Sequence, residues 1–87
     1  MISTVSIKGV NAEVLEAVAL ESSEITGRAL KHLRFPKEAL ILCIFRGREV
    51  IIPDGNSVIY PDDRVVILST RESISRVEQV LAHRGIR

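Results

Sequence analysis

The chain has 87 residues, of which 46% are hydrophobic, 26% are charged and 3% are aromatic. This length and composition predict one globular domain with an aliphatic core, and they exclude an intrinsically disordered chain. A formal net charge of +1, from 12 Lys and Arg against 11 Asp and Glu, gives little electrostatic support for binding nucleic acid.

The start of the chain gives conflicting local signals. Residues 1–12 are predicted to be a lead-in, with a turn or linker at residues 8–11. Residues 13–21 combine Ala, Glu and Leu, which favour helix, and Asn11 is placed to cap such a helix. Local propensity alone therefore predicts a helix after the lead-in.

A short helix is predicted over residues 26–33. It follows a polar break and would bury Ile25, Leu30 and Leu33 on one side. Pro36 ends this segment, because the residue before a proline avoids helical backbone angles.

The middle of the chain predicts β-strands. Residues 39–45 are apolar, and the turn at residues 46–49 leads into a second apolar run at residues 50–52, a pattern typical of a hairpin. Further strands are predicted at residues 58–60 and 64–69, with turns at residues 53–57 and 61–63.

The last segment predicts an amphipathic helix that starts after Thr70 and ends at Gly85. Its apolar residues fall on one face. The predicted fold class is therefore α+β: a small mixed or antiparallel β-sheet with one short helix and one C-terminal amphipathic helix. The residues on the apolar face of the last helix are Ile74, Val77, Val80 and Leu81.

The strand at residues 39–45 is apolar on both sides. Simple alternation places Leu40, Leu42 and Ile44 on one face, and Ile41, Cys43 and Phe45 on the other. A chain of this length has too few helices to cover both faces of a sheet. We therefore expect a homodimer in which a second copy covers one face. The alternative is a monomer whose lead-in segment provides the cover.

The sequence carries no signal for entering a membrane. Its longest apolar run, residues 39–45, is far shorter than the roughly 20 residues that span a bilayer. The N-terminal residues lack the features of a signal peptide. The single cysteine, Cys43, excludes an internal disulfide and favours a reducing compartment. We expect a cytoplasmic protein, with Cys43 as a small core side chain rather than a nucleophile.

Catalytic and metal-binding patterns are missing from the sequence. His32 and His83 fall on predicted helices without a nucleophile and an orienting acid, and one cysteine with two distant histidines makes no zinc pattern. Glycine-rich phosphate loops are also missing. We therefore predict no enzyme, no catalytic residue, no metal and no resident cofactor.

Some charged residues allow two interpretations. The pair Asp62 and Asp63 is expected to hydrogen-bond its own turn rather than bind a hard cation. Arg46 and Arg48 flank a hairpin tip, and solvated side chains are expected there rather than an anion site. For Arg34, which lies next to Phe35, a solvated side chain is likewise expected rather than an anion site.

The order of five motifs resembles the TrkA-C, or RCK_C, domain family over residues 13 to 83. That family has a Gly-x-x-Leu-x-x-Leu segment ending near a proline, an apolar strand closing in Arg-x-Gly, an Ile-Pro turn, a Pro-Gly-Asp turn and a final helix. Asp62 stands where the family usually has glycine, and Asp63 keeps the matching carboxylate. The five motifs are residues 25–30 (ITGRAL), 33–36 (LRFP), 39–47 (ALILCIFRG), 52–55 (IPDG) and 61–68 (PDDRVVIL).

The resemblance implies a domain architecture. It implies that residues 13–20 form the family's first strand, although their local propensity favours helix. It divides the chain into a lead-in at 1–12 and a TrkA-C (RCK_C) regulatory domain at 13–87. It also implies a regulatory, dimerising domain of a potassium or other cation transport system, which follows a nucleotide-binding RCK_N domain in a longer chain and acts on a membrane channel or transporter subunit, as in TrkA and KtrA.

The resemblance further implies a ligand site in the cleft between two copies, where some relatives bind cyclic di-AMP. A polar asparagine that binders carry there is replaced by Ala39 or Leu40 in this sequence. Two other functions remain open: a ligand-free dimerisation scaffold of a cation transporter or antiporter, and a small DNA-binding β-barrel. The residues that match the ligand site are Arg34, Phe35, Pro36, Ala39, Leu40, Ile41 and Pro53.

Overall fold

A five-stranded antiparallel sheet organises the chain in this computed structural model, which describes residues 2 to 82. The strand order is β1-β2-β5-β3-β4. A C-terminal α-helix packs on one face, and the predicted α+β class is confirmed. The elements are β1 (Ile2–Ser6), β2 (Glu13–Val18), β3 (Ala39–Arg46), β4 (Glu49–Ile51), β5 (Arg64–Ser69) and α1 (Ile74–Ala82), with 3-10 turns at Leu30–His32 and Arg71–Ser73.

The lead-in contains a strand that the sequence did not predict. Strand β1 pairs with β2, and the backbone N–H of Ile7 donates to the carbonyl of Ala12 at 3.1 Å where the hairpin closes. Strand β2 forms as the family resemblance implied, between β1 and β5. Its helical propensity loses because alternation buries Leu15 and Ala17, and because both of its edges are paired.

A β-bulge in β3 overturns the alternation expected for residues 39–45. Ile41 pairs with Ile67, and Cys43 pairs with Val66, so one extra residue, Leu42, sits between consecutive partners. The bulge reverses the phase of the strand after residue 41. As a result, Ile41 and Ile44 lie on the core face, whereas Leu40, Cys43 and Phe45 lie on the other face.

The predicted short helix is reduced to the 3-10 turn at Leu30–His32. Backbone donors that a helix would use internally bond instead to the segment at residues 55–59. The N–H of Gly27 donates to Ile59 at 2.8 Å, and the N–H of Leu30 donates to Ser57 at 2.9 Å. The strand predicted at residues 58–60 is accordingly reduced to two isolated bridges, which join Ile59 to Thr26 and Val58 to Ala29.

Helix α1 presents the predicted apolar face, with Val77 and Leu81 buried against the sheet. Thr70 lies just before the preceding 3-10 turn, but its hydroxyl donates to the Glu38 carboxylate at 3.0 Å rather than capping that turn. The predicted end of the helix at Gly85 and the histidine at position 83 lie outside the described residues. Within residues 2 to 82, no helix has the length and apolarity to cross a membrane.

The second face of the sheet, here called the open face, is mainly apolar, and no other element among residues 2 to 82 covers it. The lead-in joins the sheet edge as β1 and does not lie over this face. Arg64 reaches Glu16 at 2.9 Å and stacks 5.0 Å above the centre of the Phe45 ring. The side chains of the open face form three rows across the strands: Val5–Val14–Leu68–Leu40, Ser3–Glu16–Val66–Cys43 and Val18–Arg64–Phe45–Val50.

Asp62 adopts a left-handed backbone angle, φ 75°, at the position where the family usually has glycine. Non-glycine residues pay a steric cost in this region, and a β-branched side chain pays most. We expect Asp62→Gly to stabilise the fold by about 0.5 kcal/mol and Asp62→Val to destabilise it by about 1 to 2 kcal/mol. Urea unfolding of both variants measures this order, and a Val variant at least as stable as the Gly variant would contradict it.

Candidate functional site

A cavity of about 340 Å³ lies beside the first half of β3 and is here called the β3 cavity. Five of the seven predicted site residues line it. These residues come from three separate chain segments, which the fold brings together. The five are Phe35, Ala39, Leu40, Ile41 and Pro53, and the lining is completed by Leu30, Lys31, Leu33, Asp54 and Gly55.

The short length of β4 leaves room for the β3 cavity. Strand β4 pairs only with residues 44–46 of β3, so the outer edge of residues 39–41 borders the cavity instead of another strand. The turn after β4 closes the far side. It is tied to the 3-10 turn because the N–H of Lys31 donates to the carbonyl of Gly55 at 2.9 Å.

The chemistry of the β3 cavity is mainly apolar. Leucine, isoleucine, phenylalanine and proline side chains form its walls, and Lys31 and Asp54 are the charged residues in its lining. The Asp54 carboxylate accepts a hydrogen bond from the backbone N–H of Asn56 at 2.8 Å, and Lys31 is the one cationic residue that the described part of the chain contributes to the lining. Such a lining favours a ligand with a mainly apolar surface and a small number of polar groups.

The structure separates the other two predicted site residues from the β3 cavity. Arg34 lines a second cavity of about 240 Å³, together with Arg28, His32 and Glu24. Pro36 lines neither of these two cavities. Arg34, one of the residues that match the family's ligand site, is therefore not a wall of the β3 cavity within one copy.

An ion pair between Arg46 and Asp63 joins the β3–β4 hairpin to the turn before β5. Arg46 donates Nε–H to Oδ1 of Asp63 at 2.9 Å and Nη2–H to Oδ2 at 2.8 Å. A second bond from Nη2 reaches the carbonyl of Val58 at 3.0 Å, and the guanidinium lies 4.6 Å from the centre of the Tyr60 ring. The geometry is bidentate, which makes this a strong charge-assisted contact.

The sequence interpretation of Arg46 as a solvated residue at the hairpin tip was therefore wrong, whereas Arg48 is exposed. The side-chain hydrogen bonds from Arg46 hold the pKa of Asp63 below its usual value, although burial opposes this shift. Asp63 also accepts from the Tyr60 backbone N–H at 2.9 Å, as predicted for a turn aspartate. The signal that could have found the pair is the joint presence of Arg46-Gly47 at the end of β3 and the Pro-Asp-Asp motif at residues 61–63.

Two further sequence predictions concern Cys43 and metals. Cys43 is half-buried on the open face rather than in the core, because the bulge reverses its direction. Among residues 2 to 82, no group of three or more His, Cys, Asp or Glu side chains is placed to hold a metal ion.

Comparison with known proteins finds similarity to Trk system potassium uptake proteins. The chain is 45% identical over 74 residues to the Trk system potassium uptake protein TrkA homolog 1 of Methanosarcina mazei, a match that covers 85% of this chain and 16% of that protein. It is 38% identical over 68 residues to the Trk system potassium uptake protein TrkA of Azorhizobium caulinodans, covering 78% of this chain and 15% of that protein. The chain thus spans about one sixth of the length of these relatives.

Comparisons of fold and of family profile agree with these relatives. A solved structure described as an RCK domain with cda matches with a TM-score of 0.66 and 20% sequence identity, covering 78% of this chain and 96% of that one. At this identity, the match shows a shared fold. The family model of the TrkA-C domain matches residues 14–82, which include β2 from its second residue, strands β3 to β5 and helix α1. The chain therefore belongs to the TrkA-C domain family.

Proposed function

We propose that this chain is a non-enzymatic, cytoplasmic regulatory domain of a potassium uptake system, that it forms a homodimer, and that it senses a small ligand such as cyclic di-AMP in the β3 cavity. Its relatives are Trk system potassium uptake proteins, which supports the transport role. The RCK-domain match, described with cda, supports the choice of ligand to be tested first.

The observation that carries the proposal is that Leu40 belongs to both the β3 cavity and the open face. The Leu40 side chain is 60% exposed, lines the β3 cavity and also ends one row of the open face. A second copy lying over the open face would therefore border the cavity. Dimerisation and ligand binding then share one boundary, as a ligand-sensing cleft requires.

Regulation follows from a difference in affinity. A ligand that binds one arrangement of two copies more tightly than another shifts the population by that difference and by no more. The shift is passed to the attached parts of the system: an RCK_N domain in a longer chain, and a membrane potassium channel or transporter subunit with which the domain associates peripherally.

The dimer is tested by placing a charge on the open face. Val50 is 61% exposed there, so Val50→Glu leaves the monomer fold nearly unchanged but puts a carboxylate into a buried dimer interface. Leu20→Glu is the matched control, since Leu20 is 46% exposed outside the sheet. We expect sedimentation velocity to show the Val50 variant as a monomer at concentrations where the control is a dimer. A monomeric parent protein at micromolar concentration would overturn the open-face dimer.

The ligand is tested by titrating the protein with cyclic di-AMP, with ATP, ADP and NADH in parallel. A ligand at 100 times its dissociation constant should stabilise the fold by about 2.7 kcal/mol, which a thermal-shift assay detects. Lys31→Ala should weaken binding at least about tenfold, because it removes the cation from the cavity lining. Lys37→Ala, at an exposed position outside that lining, serves as the control. Silence of all four ligands at millimolar concentration would reject the sensor.

A ligand-free dimerisation scaffold of a cation transporter or antiporter is the second candidate. The position of Arg34 favours it, because that guanidinium lines the second cavity and leaves the β3 cavity with little positive charge. In a scaffold, Arg34→Ala changes neither assembly nor any ligand response. In a sensor whose cleft brings Arg34 of one copy toward the cavity of the other, the same variant loses affinity while it stays dimeric.

A further inference from the structure

Within residues 2 to 82, the outer edge of β1 is unpaired and lacks the shielding found at the opposite edge of the sheet. Edge strands are usually shielded from other chains by short length, charge, proline or a bulge. Strand β4 has such shielding: it is three residues long, starts with Glu49 next to Arg48, and is followed closely by Pro53. Strand β1 runs for five residues, ISTVS, without a charge or a proline, and it pairs with β2 in unbroken register.

The hydrogen-bond phase of the hairpin shows which groups this edge offers. In an antiparallel pair, opposed residues alternate between those that bond to each other and those that do not. The bond from Ile7 to Ala12 fixes the phase, so Val5 and Ser3 bond to β2. The backbone N–H and C=O groups of Thr4 and Ser6 therefore point away from the sheet, toward a strand that would lie outside it.

We propose that β1 is a strand-pairing surface for β1 of a second copy, arranged antiparallel about a two-fold axis at Thr4. Two features argue for a second copy as the occupant. The strand is uncharged, so pairing with itself sets no like charges opposite each other. The two-fold axis also puts Thr4 opposite its own symmetry mate, and threonine pairs are favourable across strands.

Continuity with the open face adds a third argument. Val5 is 67% exposed and begins the row Val5–Val14–Leu68–Leu40. Pairing at β1 would join the open faces of two copies into one wider apolar surface. Strand β1 lies outside residues 14–82, so this contact involves a part of the chain beyond the TrkA-C match.

The contact is expected to be weak. A five-residue edge buries far less than the roughly 1,200 Å² of the smaller stable interfaces, so pairing should appear only at high concentration or between copies already held close together. It is distinct from the proposed open-face dimer, and it needs no ligand in the β3 cavity.

Amide hydrogen exchange tests the pairing directly. We expect the amides of Thr4 and Ser6 to exchange rapidly in dilute protein and to slow by about tenfold as the concentration rises into the millimolar range. The amide of Val5, which donates to β2, should be protected throughout. Unchanged exchange at Thr4 and Ser6 under these conditions would overturn the proposal, even if the protein dimerises, because an open-face dimer leaves these amides exposed.

Two variants separate edge pairing from general loss of structure. Thr4→Pro removes an outward N–H without taking a hydrogen bond from β2, and Thr4→Lys sets two cations opposite each other at the two-fold axis. Both should abolish the concentration-dependent slowing at Ser6 and leave Val5 protected. Ser22→Lys adds the same charge at an exposed turn away from the sheet and should keep the slowing. Slowing that persists in Thr4→Lys would contradict the proposal.

Discussion

Replacing Asp63 by alanine is expected to lower the free energy of unfolding by about 2 to 4 kcal/mol. The Asp63 side chain is 2% exposed and accepts hydrogen bonds from the Arg46 guanidinium and the Tyr60 backbone N–H. Its removal leaves that N–H without its acceptor and separates the β3–β4 hairpin from the turn before β5. Urea unfolding followed by circular dichroism measures the loss.

The neighbouring aspartate provides the control. Asp62 is exposed, so Asp62→Asn should change the stability by less than about 0.5 kcal/mol, and asparagine tolerates its left-handed backbone angle. Asp63→Asn should cost clearly more, since its amide group cannot form the bidentate ion pair with Arg46. Equal losses in the two asparagine variants would show that the ion pair does not stabilise the fold.

The same pair predicts an acid dependence. Arg46 lowers the pKa of Asp63 from its ordinary 3.8, so as the pH falls the unfolded chain takes up this proton before the folded chain does. The stabilisation is therefore complete above the unfolded pKa and is lost as the pH falls through the lower folded pKa. Unfolding free energies of the parent and of Asp63→Asn should converge between about pH 5 and pH 2. A constant difference over that range would contradict the assignment.

Truncating Ile44 to alanine is the second large effect, at about 2 to 4 kcal/mol, because the side chain is fully buried in the core. Leu42→Ala should cost less than about 1 kcal/mol, since Leu42 sits at the bulge with 39% of its surface exposed. Regular alternation would give these two residues the same environment, so the pair of variants tests the bulge. Urea unfolding that ranked Leu42 above Ile44 would place the bulge elsewhere in the strand.

Much of the architecture is written in local patterns of the sequence. The hairpin of β3 and β4, strand β5 and the apolar face of α1 all follow from alternation, turn residues and helical spacing. Strand β2 did not follow from local propensity, because its pairing with distant β5 outweighs the helical preference of Ala, Glu and Leu. The predicted short helix does not form for a similar reason, because backbone N–H groups in this segment donate to carbonyls of residues 55–59.

The candidate site was predictable only in part. Phe35, Ala39, Leu40, Ile41 and Pro53 meet in one cavity because turns and strand ends of fixed order bring them together. The direction of Arg34 and the partner of Arg46 depend on tertiary contacts, which no local pattern contains. The bulge was also hidden, since an apolar run reads the same in either phase.

The side-chain amide of Asn11 links the turn between β1 and β2 to the 3-10 turn that precedes α1. Asn11 donates from Nδ2 to the Glu72 carboxylate at 2.7 Å, and its Oδ1 accepts from the Arg71 backbone N–H at 3.3 Å. This donation holds the pKa of Glu72 below its usual value. Spontaneous deamidation would replace the Asn11 amide by a carboxylate, which would face the carboxylate of Glu72. Chemical ageing at this position should therefore weaken the contact between the β1–β2 turn and the 3-10 turn, while the Arg71–Glu13 contact and the pairing of β2 with β5 keep the hairpin in place.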